Sequence, residues 1–124
     1  MLGLRTTIYK VGDMEKASLW YGNAFDEKPY FEESYYVGFN VCGYELGLQP
    51  EENPTTDKQE SVINYWGVED IQKEHDYFLA NGAILVCDIV DVGGDILMST
   101  YKDPWGNMLG LIYNPNFGNE IKLV

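Results

Sequence analysis

Glu45 is the residue of this sequence best suited, by type and position, to take part in chemistry. It lies in a strand-like run, Tyr44–Gln49, in which residues two apart face the same side. Glu45 therefore shares a side with Gly47. A carboxylate placed on a strand in this way can move a proton, so Glu45 is our candidate catalytic residue. Acid, base and oxyanion-stabilising groups are not visible as a set elsewhere in the sequence.

The sequence positions of the histidine and the two cysteines indicate structural roles. His75, the single histidine, lies in the middle of a helix-like segment without a second metal donor nearby, which indicates a half-buried packing residue. Cys42 and Cys87 each lie in an apolar strand-like run and have no basic or histidine neighbour in sequence. We expect two buried free thiols, with a disulfide as the alternative.

Composition limits the classes of partner. The 124 residues fit one domain, and 8 Lys plus Arg against 20 Asp plus Glu give a formal net charge of −12. That charge repels phosphate backbones and anionic lipid, so we expect neither nucleic acid nor a membrane as a partner. The apolar stretches are too short to cross a bilayer, and the N-terminus lacks the pattern of a secretory signal. A cytoplasmic protein is expected.

An internal repeat determines how these residues are positioned. Val11–Lys16 (VGDMEK) recurs as Val68–Lys73 (VEDIQK) at an offset of 57 residues. The aromatic pair Trp20-Tyr21 recurs as Tyr77-Phe78 at the same offset of 57. Chance is a poor explanation for this agreement, so we predict two copies of one structural module.

Each copy has the pattern of a βαβββ module. Asp13 and Asp70 can cap the helix that follows the first strand of each copy, and Glu45–Leu48 (ELGL) matches Met108–Leu111 (MLGL) in the closing strands. The predicted helices start near Met14 and Ile71 and end near Asn23–Asp26 and Asn81-Gly82. The predicted strands are Thr6–Val11, Pro29–Glu33, Tyr35–Cys42, Tyr44–Gln49, Val62–Val68, Ala83–Val90, Asp95–Lys102 and Met108–Asn114.

The predicted organisation is a single domain of residues 1–124. Module one covers about residues 4–49, a polar linker covers 50–60, module two covers about 61–114, and a tail covers 115–124. Ile121, Leu123 and Val124 of the tail could pack on a sheet edge or on a partner chain.

The sequence resembles the vicinal oxygen chelate superfamily, the group of glyoxalases, bleomycin-resistance proteins and extradiol dioxygenases. The paired modules and their two helix starts carry the resemblance, and above all Lys102–Asn107 (KDPWGN) before the last strand. It covers about residues 4–114. The resemblance implies an α+β fold in which two tandem βαβββ modules form curved mixed sheets around a ligand cavity, with the helices outside. It also implies a homodimer.

The residue types of the KDPWGN segment also predict a turn on physical grounds. Pro104 fixes one φ angle, Gly106 can adopt a positive φ, and Asp103 and Asn107 can bond the backbone of the turn. Trp105 at the tip either covers apolar surface or contacts a ligand.

Enzymes of the superfamily hold a divalent metal with His, Gln or Glu side chains from the first and last strands of each module. Aligning the sequence with that pattern places Thr6 and Ile63 at the first-strand positions and Gly47 and Gly110 at the last-strand positions. None of these four offers a suitable ligand. A register error of one or two residues could make Glu45 a ligand, but one carboxylate is not a site. We expect no metal and no other cofactor.

The resemblance and the alternation of strand residues together predict a pocket. The glycines at 47 and 110 are expected to leave room in it. Aromatic rings over a hollow suit a planar or cationic guest, although any single ring could instead belong to the core. The candidate ligand-binding residues are Thr6, Ile8, Phe39, Glu45, Gln49, Tyr65, Tyr101, Trp105 and Ile112.

Three functions remain open at this point. The first is sequestration of a small aromatic or cationic compound, as in bleomycin-resistance proteins, without metal. The second is a glyoxalase-like lyase or isomerase, either metal-free with Glu45 or a tyrosine moving a proton, or metal-dependent if the ligand register is misread. The third is an assembly module in an obligate dimer. Binding is our prediction, and whether the protein is an enzyme is left undecided.

Overall fold

The computed structural model describes residues 1–117. The chain divides into two compact units, and each is described by itself. One unit comprises Met1–Gln59 with Pro104–Asn107, and the other comprises Glu60–Asp103 with the described residues from Met108 to Phe117. The predicted linker therefore lies mostly in the first unit, together with the last four residues of the KDPWGN turn.

Module one is a four-stranded mixed sheet with one helix. Its elements are β1 (Thr6–Val11), α1 (Met14–Phe25), β2 (Phe31–Glu33), β3 (Tyr36–Val41) and β4 (Tyr44–Pro50). The strand order is β1-β4-β3-β2, in which β1 is parallel to β4 and the other neighbours are antiparallel. The helix packs against β3 and β4. We call the side of each sheet opposite its helix the helix-free face.

Local sequence explains where α1 begins and what it buries. The Asp13 carboxylate accepts a hydrogen bond from the Lys16 N–H at 3.0 Å, which satisfies one of the free donors of the first turn. Tyr21 is fully buried and stacks on Tyr9 of β1 with ring centroids 5.4 Å apart. The helix ends at Asp26, whose φ of 52° is left-handed.

Module two repeats this arrangement. Its elements are β5 (Asn64–Gly67), α2 (Ile71–Ala80), β6 (Ile84–Asp91), β7 (Leu97–Lys102) and β8 (Met108–Tyr113). The strand order is β5-β8-β7-β6, with β5 parallel to β8. Asp70 caps α2 by accepting from the Lys73 N–H at 3.1 Å. The predicted α+β fold of two tandem βαβββ modules is confirmed, and the predicted strands differ from these bounds only at their ends.

Neither described helix combines the length and apolar character needed to cross a membrane. Of the predicted tail, Ile121, Leu123 and Val124 lie outside the described residues.

The expectation of buried thiols is wrong. Cys42 and Cys87 are free, as predicted, but both are exposed. Cys42 lies in the turn between β3 and β4, and Cys87 lies in β6, which is an edge strand of its sheet. An apolar run in the sequence does not bury an edge strand unless another element covers it.

Candidate functional site

Glu45 accepts two hydroxyl hydrogen bonds on the helix-free face of module one. Its Oε1 accepts from the Thr6 hydroxyl at 3.1 Å, and its Oε2 accepts from the Tyr30 hydroxyl. Thr6 is the partner of Glu45 in the β1–β4 pair. Among residues 1–117, no Lys, Arg or His forms a salt bridge with Glu45. The charge of this half-buried carboxylate is therefore stabilised by hydroxyl dipoles and not by a cation.

The turn between β3 and β4 fixes which residue stands beside Glu45. Cys42 and Gly43 have φ angles of 51° and 90°, and positive φ at both central positions is typical of a type I′ hairpin turn. This turn pairs Val41 with Tyr44 and Asn40 with Glu45. The Asn40 side-chain oxygen accepts from the Gly43 N–H at 2.8 Å, which stabilises the turn.

A recess of about 280 Å³ opens beside this pair, and its lining residues are Tyr30, Asn40, Gly43, Tyr44 and Glu45. Tyr30 is 63% exposed and its ring lies over Gly38 beside Glu45, so this ring is accessible to a ligand. Pockets for small molecules commonly combine such apolar walls with a few polar groups that fix orientation. This recess has one carboxylate and one amide for that purpose.

Tyrosine rings fill the space that the glycines were expected to leave. Gly38 and Gly47 are partners across β3 and β4. A Cβ added to Gly38 would lie 2.9 Å from Tyr30 Cε1, and one added to Gly47 would lie 2.7 Å from Tyr36 Cζ. The expectation of room above Gly47 is therefore wrong. Burial of Tyr36 raises the pKa of its hydroxyl above the ordinary value.

Module two has the same relationship at the matching position. Gly110 pairs with Tyr65 across β5 and β8. A Cβ at residue 110 would lie 2.6 Å from Tyr65 Cε1, so the Tyr65 ring itself covers this glycine. Each module thus has a glycine on its closing strand that receives a tyrosine side chain.

Register places six of the predicted ligand-binding residues on helix-free faces. In module one, Glu45 pairs with Thr6. The next residues on the same side of β4 are Gly47, which pairs with Ile8, and Gln49, which pairs with Lys10. In module two, Tyr65 and Gly110 pair, and Ile112 follows on the same side of β8. The residues on these faces are Thr6, Ile8, Glu45, Gln49, Tyr65 and Ile112.

The other three predicted residues lie elsewhere. Phe39 and Tyr101 belong to packed interiors, which corrects their assignment. Trp105 is half-buried and lines a recess of about 440 Å³ in the first unit, together with Gly12 and residues 54–56, so its assignment stays a prediction. Phe39 is 1% exposed and pairs with the buried Leu46, on the helix side of its sheet. Trp105 packs against Trp20 and Tyr21 of α1 with centroid distances of 6.3 and 6.5 Å. Aromatic residue type alone could not separate these rings from ligand-facing ones, because period-two alternation decides the side.

Tyr101, the third of these residues, joins His75 in the core of module two. It is 0% exposed, its ring packs on Phe78 at 5.3 Å, and its hydroxyl lies 2.7 Å from both His75 Nδ1 and Ser99 Oγ. His75 is more buried than the half-buried state we predicted, at 6% exposure, and its Nε2 lies 3.6 Å from Asp88 Oδ1.

This network changes the acidity of Tyr101. Burial raises the pKa of its hydroxyl above the ordinary value, a hydrogen bond with Ser99 opposes that change, and the charges of Asp88 and Asp76 add to it. The network is internal to module two, since Ser99 and Tyr101 are both buried. It indicates a structural role for His75.

Sequence reasoning missed Tyr30, Asn40 and Tyr44. A signal for Asn40 was present, because a two-residue turn at Cys42-Gly43 makes it the partner of Glu45. No such signal existed for Tyr30, since its contact depends on a side chain reaching across Gly38.

The residues do not fit the divalent metal that the resemblance implies. Of the four expected ligand positions, Thr6 pairs with Glu45, Gly47 pairs with Ile8 and Gly110 pairs with Tyr65, while Ile63 directly precedes β5. Glu45 is the one carboxylate at these strand pairs, and one carboxylate is not a site. Within the described part of the chain, no group of three or more His, Cys, Asp or Glu residues is arranged to hold a metal ion. Divalent metals in such sites require several converging imidazole or carboxylate ligands.

Solved structures of low sequence identity share the fold. A glyoxalase-related enzyme from Fulvimarina pelagi superimposes with a TM-score of 0.77 at 17% identity, covering 93% of this chain and 90% of that one. The fosfomycin resistance protein FosX from Listeria monocytogenes, in a complex with Mn(II) and sulfate, gives a TM-score of 0.77 at 16% identity, with 92% and 91% covered. A glyoxalase/bleomycin resistance protein/dioxygenase family enzyme from Burkholderia phytofirmans gives 0.74 at 13% identity, with 87% and 95% covered.

No curated protein matches the sequence closely enough to indicate a relative. The family evidence comes from the sequence pattern of the Glyoxalase/Bleomycin resistance protein/Dioxygenase superfamily, which matches residues 3–111 and thus both modules. Together with the two tandem βαβββ modules, this match shows that the chain belongs to the Glyoxalase/Bleomycin resistance protein/Dioxygenase superfamily.

Proposed function

We propose that this protein binds a small organic cation with an aromatic body in the recess of module one, without using a metal. The observation that carries the proposal is the Glu45 carboxylate, which Thr6 and Tyr30 fix in place and which no described cationic side chain neutralises. A half-buried charge without a counter-ion attracts a cation from solution more strongly than a charge fully in water does.

The walls of the recess support the aromatic part of the proposal. Tyr30 and Tyr44 both line it, and the exposed Tyr30 ring, whose hydroxyl reaches Glu45, can contact a flat apolar group or the face of a cation. The net charge of −12 favours the approach of cationic ligands over anionic ones.

The proposed role is sequestration, as in bleomycin-resistance proteins, and not a reaction. The Mn(II) found in the FosX complex is not carried over to this chain, because the donor set for a metal does not fit. The proposal places the protein in the cytoplasm, where two exposed free thiols remain reduced. It also includes the homodimer that the superfamily resemblance implies, which size-exclusion chromatography with light scattering tests directly.

The decisive experiment measures binding of 2-phenylethylamine by isothermal titration calorimetry. We expect Glu45→Gln to weaken binding roughly tenfold to a hundredfold, since a hydrogen bond to a charged group is lost. Glu52→Gln removes an equal charge from an exposed residue and should leave the affinity unchanged. Failure of the wild-type protein to bind the amine, or equal affinities for the two variants, would refute the proposal.

The same samples distinguish binding from catalysis. An NMR spectrum of the ligand after long incubation should show the amine unchanged. A new set of ligand signals that depends on Glu45 would instead support a metal-free enzyme in which this carboxylate moves a proton.

A further inference from the structure

We infer that the recess recognises two neighbouring groups on one ligand: an N–H-bearing cation at Glu45 and an oxygen acceptor at Asn40. The inference rests on the proposed function and specifies its ligand class. The ligand would be an aromatic amine that carries a hydroxyl or carbonyl oxygen on a carbon close to the nitrogen.

The two recognition groups are direct neighbours. Asn40 and Glu45 are partners in the antiparallel β3–β4 pair. Side chains at such positions start from Cβ atoms about 5 Å apart. Both residues line the recess, so a ligand in it meets the amide and the carboxylate side by side.

Asn40 and Glu45 each keep hydrogen-bonding capacity for a ligand. The Asn40 side-chain oxygen already accepts from the Gly43 N–H at 2.8 Å, so the amide nitrogen with its two donors is what remains for a ligand. Each Glu45 oxygen accepts one hydroxyl bond and keeps a second lone pair. The pair therefore presents donors on one side and negatively charged acceptors on the other.

These donors and acceptors define the chemical class of the ligand. A primary or secondary ammonium can donate to Glu45, whereas a quaternary ammonium cannot. An oxygen attached close to that nitrogen would accept from Asn40. The Tyr30 ring beside the pair would contact the aromatic part of the ligand.

Two matched probes test the inference: 2-amino-1-phenylethanol, which has a hydroxyl beside the amine-bearing carbon, and 2-phenylethylamine, which lacks it. We expect the wild-type protein to prefer the first roughly tenfold, the effect of one hydrogen bond. Asn40→Asp keeps an oxygen for the Gly43 N–H but removes the donors, so the ratio of the two affinities should fall to about one.

Asn53→Asp is the control, because it adds the same charge at an exposed loop residue and should keep the tenfold ratio. The ratio, not the absolute affinity, is the readout, since an added carboxylate strengthens the attraction of any cation. If Asn40→Asp does not fold, the Asn40 side-chain amide signals of wild-type protein in a ¹⁵N NMR spectrum should shift with the amino alcohol and not with the plain amine.

The outcomes separate the two proposals. If neither amine binds, the proposed function fails. If both bind with equal affinity to the wild-type protein, or if Asn40→Asp keeps the preference, the recognition of an adjacent oxygen is wrong while the binding of cations stands.

Discussion

The hydroxyl of Tyr36 lies over Gly47 on the helix-free face of module one. Gly47 is one of the positions that the superfamily pattern aligns with a metal ligand, and Gly110, under the Tyr65 ring, is its counterpart in module two. In both modules a side chain from a neighbouring strand occupies the space that a ligand side chain would need. At these two positions a packed tyrosine side chain therefore occupies the space in which a metal ligand is expected.

Gly47→Ala should lower the free energy of unfolding by about 1–3 kcal/mol, because the new Cβ forces the Tyr36 ring away from the sheet. In a Tyr36→Ala background the same substitution should lower the free energy of unfolding much less, because the obstructing ring is absent. Urea unfolding of the wild type, both single variants and the double variant measures this coupling. Equal costs in the two backgrounds would show that the glycine serves another purpose.

Gly110→Ala should destabilise module two by a similar amount, about 1–3 kcal/mol, because Tyr65 covers this glycine with the body of its ring. Gly67→Ala is the matched control within the same sheet, since nothing lies within 4 Å of a Cβ added there. Thermal unfolding should separate the two variants clearly. A Gly67→Ala variant as unstable as Gly110→Ala would argue against the steric explanation.

The sequence predicted the architecture well because it depends on local patterns. The residue types of Thr6–Val11 favour a strand, and Asp13 and Asp70 cap their helices as expected. Because the module is duplicated, each element is predicted from two copies of the same sequence pattern. Fold class and element order follow from such short-range signals.

The site was less predictable because it depends on long-range side-chain geometry. Thr6 and Glu45 were placed on one face, and the structure adds a hydrogen bond between them. Phe39 and Tyr101 were chosen as aromatic residues near the strands, but strand parity turns both toward a helix. Tyr30 reaches Glu45 only because Gly38 has no side chain, and no sequence pattern reports that reach.

Cys42→Asn should stabilise the protein by roughly 0.5–1 kcal/mol, because Asn adopts left-handed backbone angles more readily than Cys does. Cys42 has a φ of 51° at the first central position of the turn, where Asn followed by Gly is the preferred sequence. Cys87→Ser on the exposed β6 strand serves as the control for removing a thiol. A lower melting temperature for Cys42→Asn than for the wild type would contradict the turn assignment.

Amine binding should not depend on divalent metal. Exhaustive dialysis against EDTA should leave the affinity for 2-phenylethylamine unchanged, because no group of three or more His, Cys, Asp or Glu among the described residues is arranged to hold a metal ion. Adding Mn(II) or Zn(II) to the dialysed protein should not raise its melting temperature by more than the buffer control does. A stoichiometric stabilisation by either ion would mean that the ligand register has been misjudged.

Stability should fall in alkaline solution because of Tyr101. Its pKa in the folded protein is raised, chiefly by burial, above the value of about 10 that tyrosine has in an unfolded chain. Below pH 10 both states keep the proton, and the stabilisation is fully present. As the pH rises past 10, the unfolded state ionises first, so the free energy of unfolding decreases until the pH exceeds the raised pKa of the folded state.

Tyr101→Phe tests this linkage in guanidinium unfolding measured between pH 8 and 11, values that bracket the tyrosine pKa of about 10. The variant should be less stable at neutral pH by about 1–2 kcal/mol, since His75 and Ser99 each lose a hydrogen-bond partner. Its stability should nevertheless decline less steeply above pH 10, with Tyr36 providing the remaining slope. Tyr35→Phe, at an exposed ring, should keep the wild-type slope, and a Tyr101→Phe variant with that same slope would show that Tyr101 does not carry the alkaline transition.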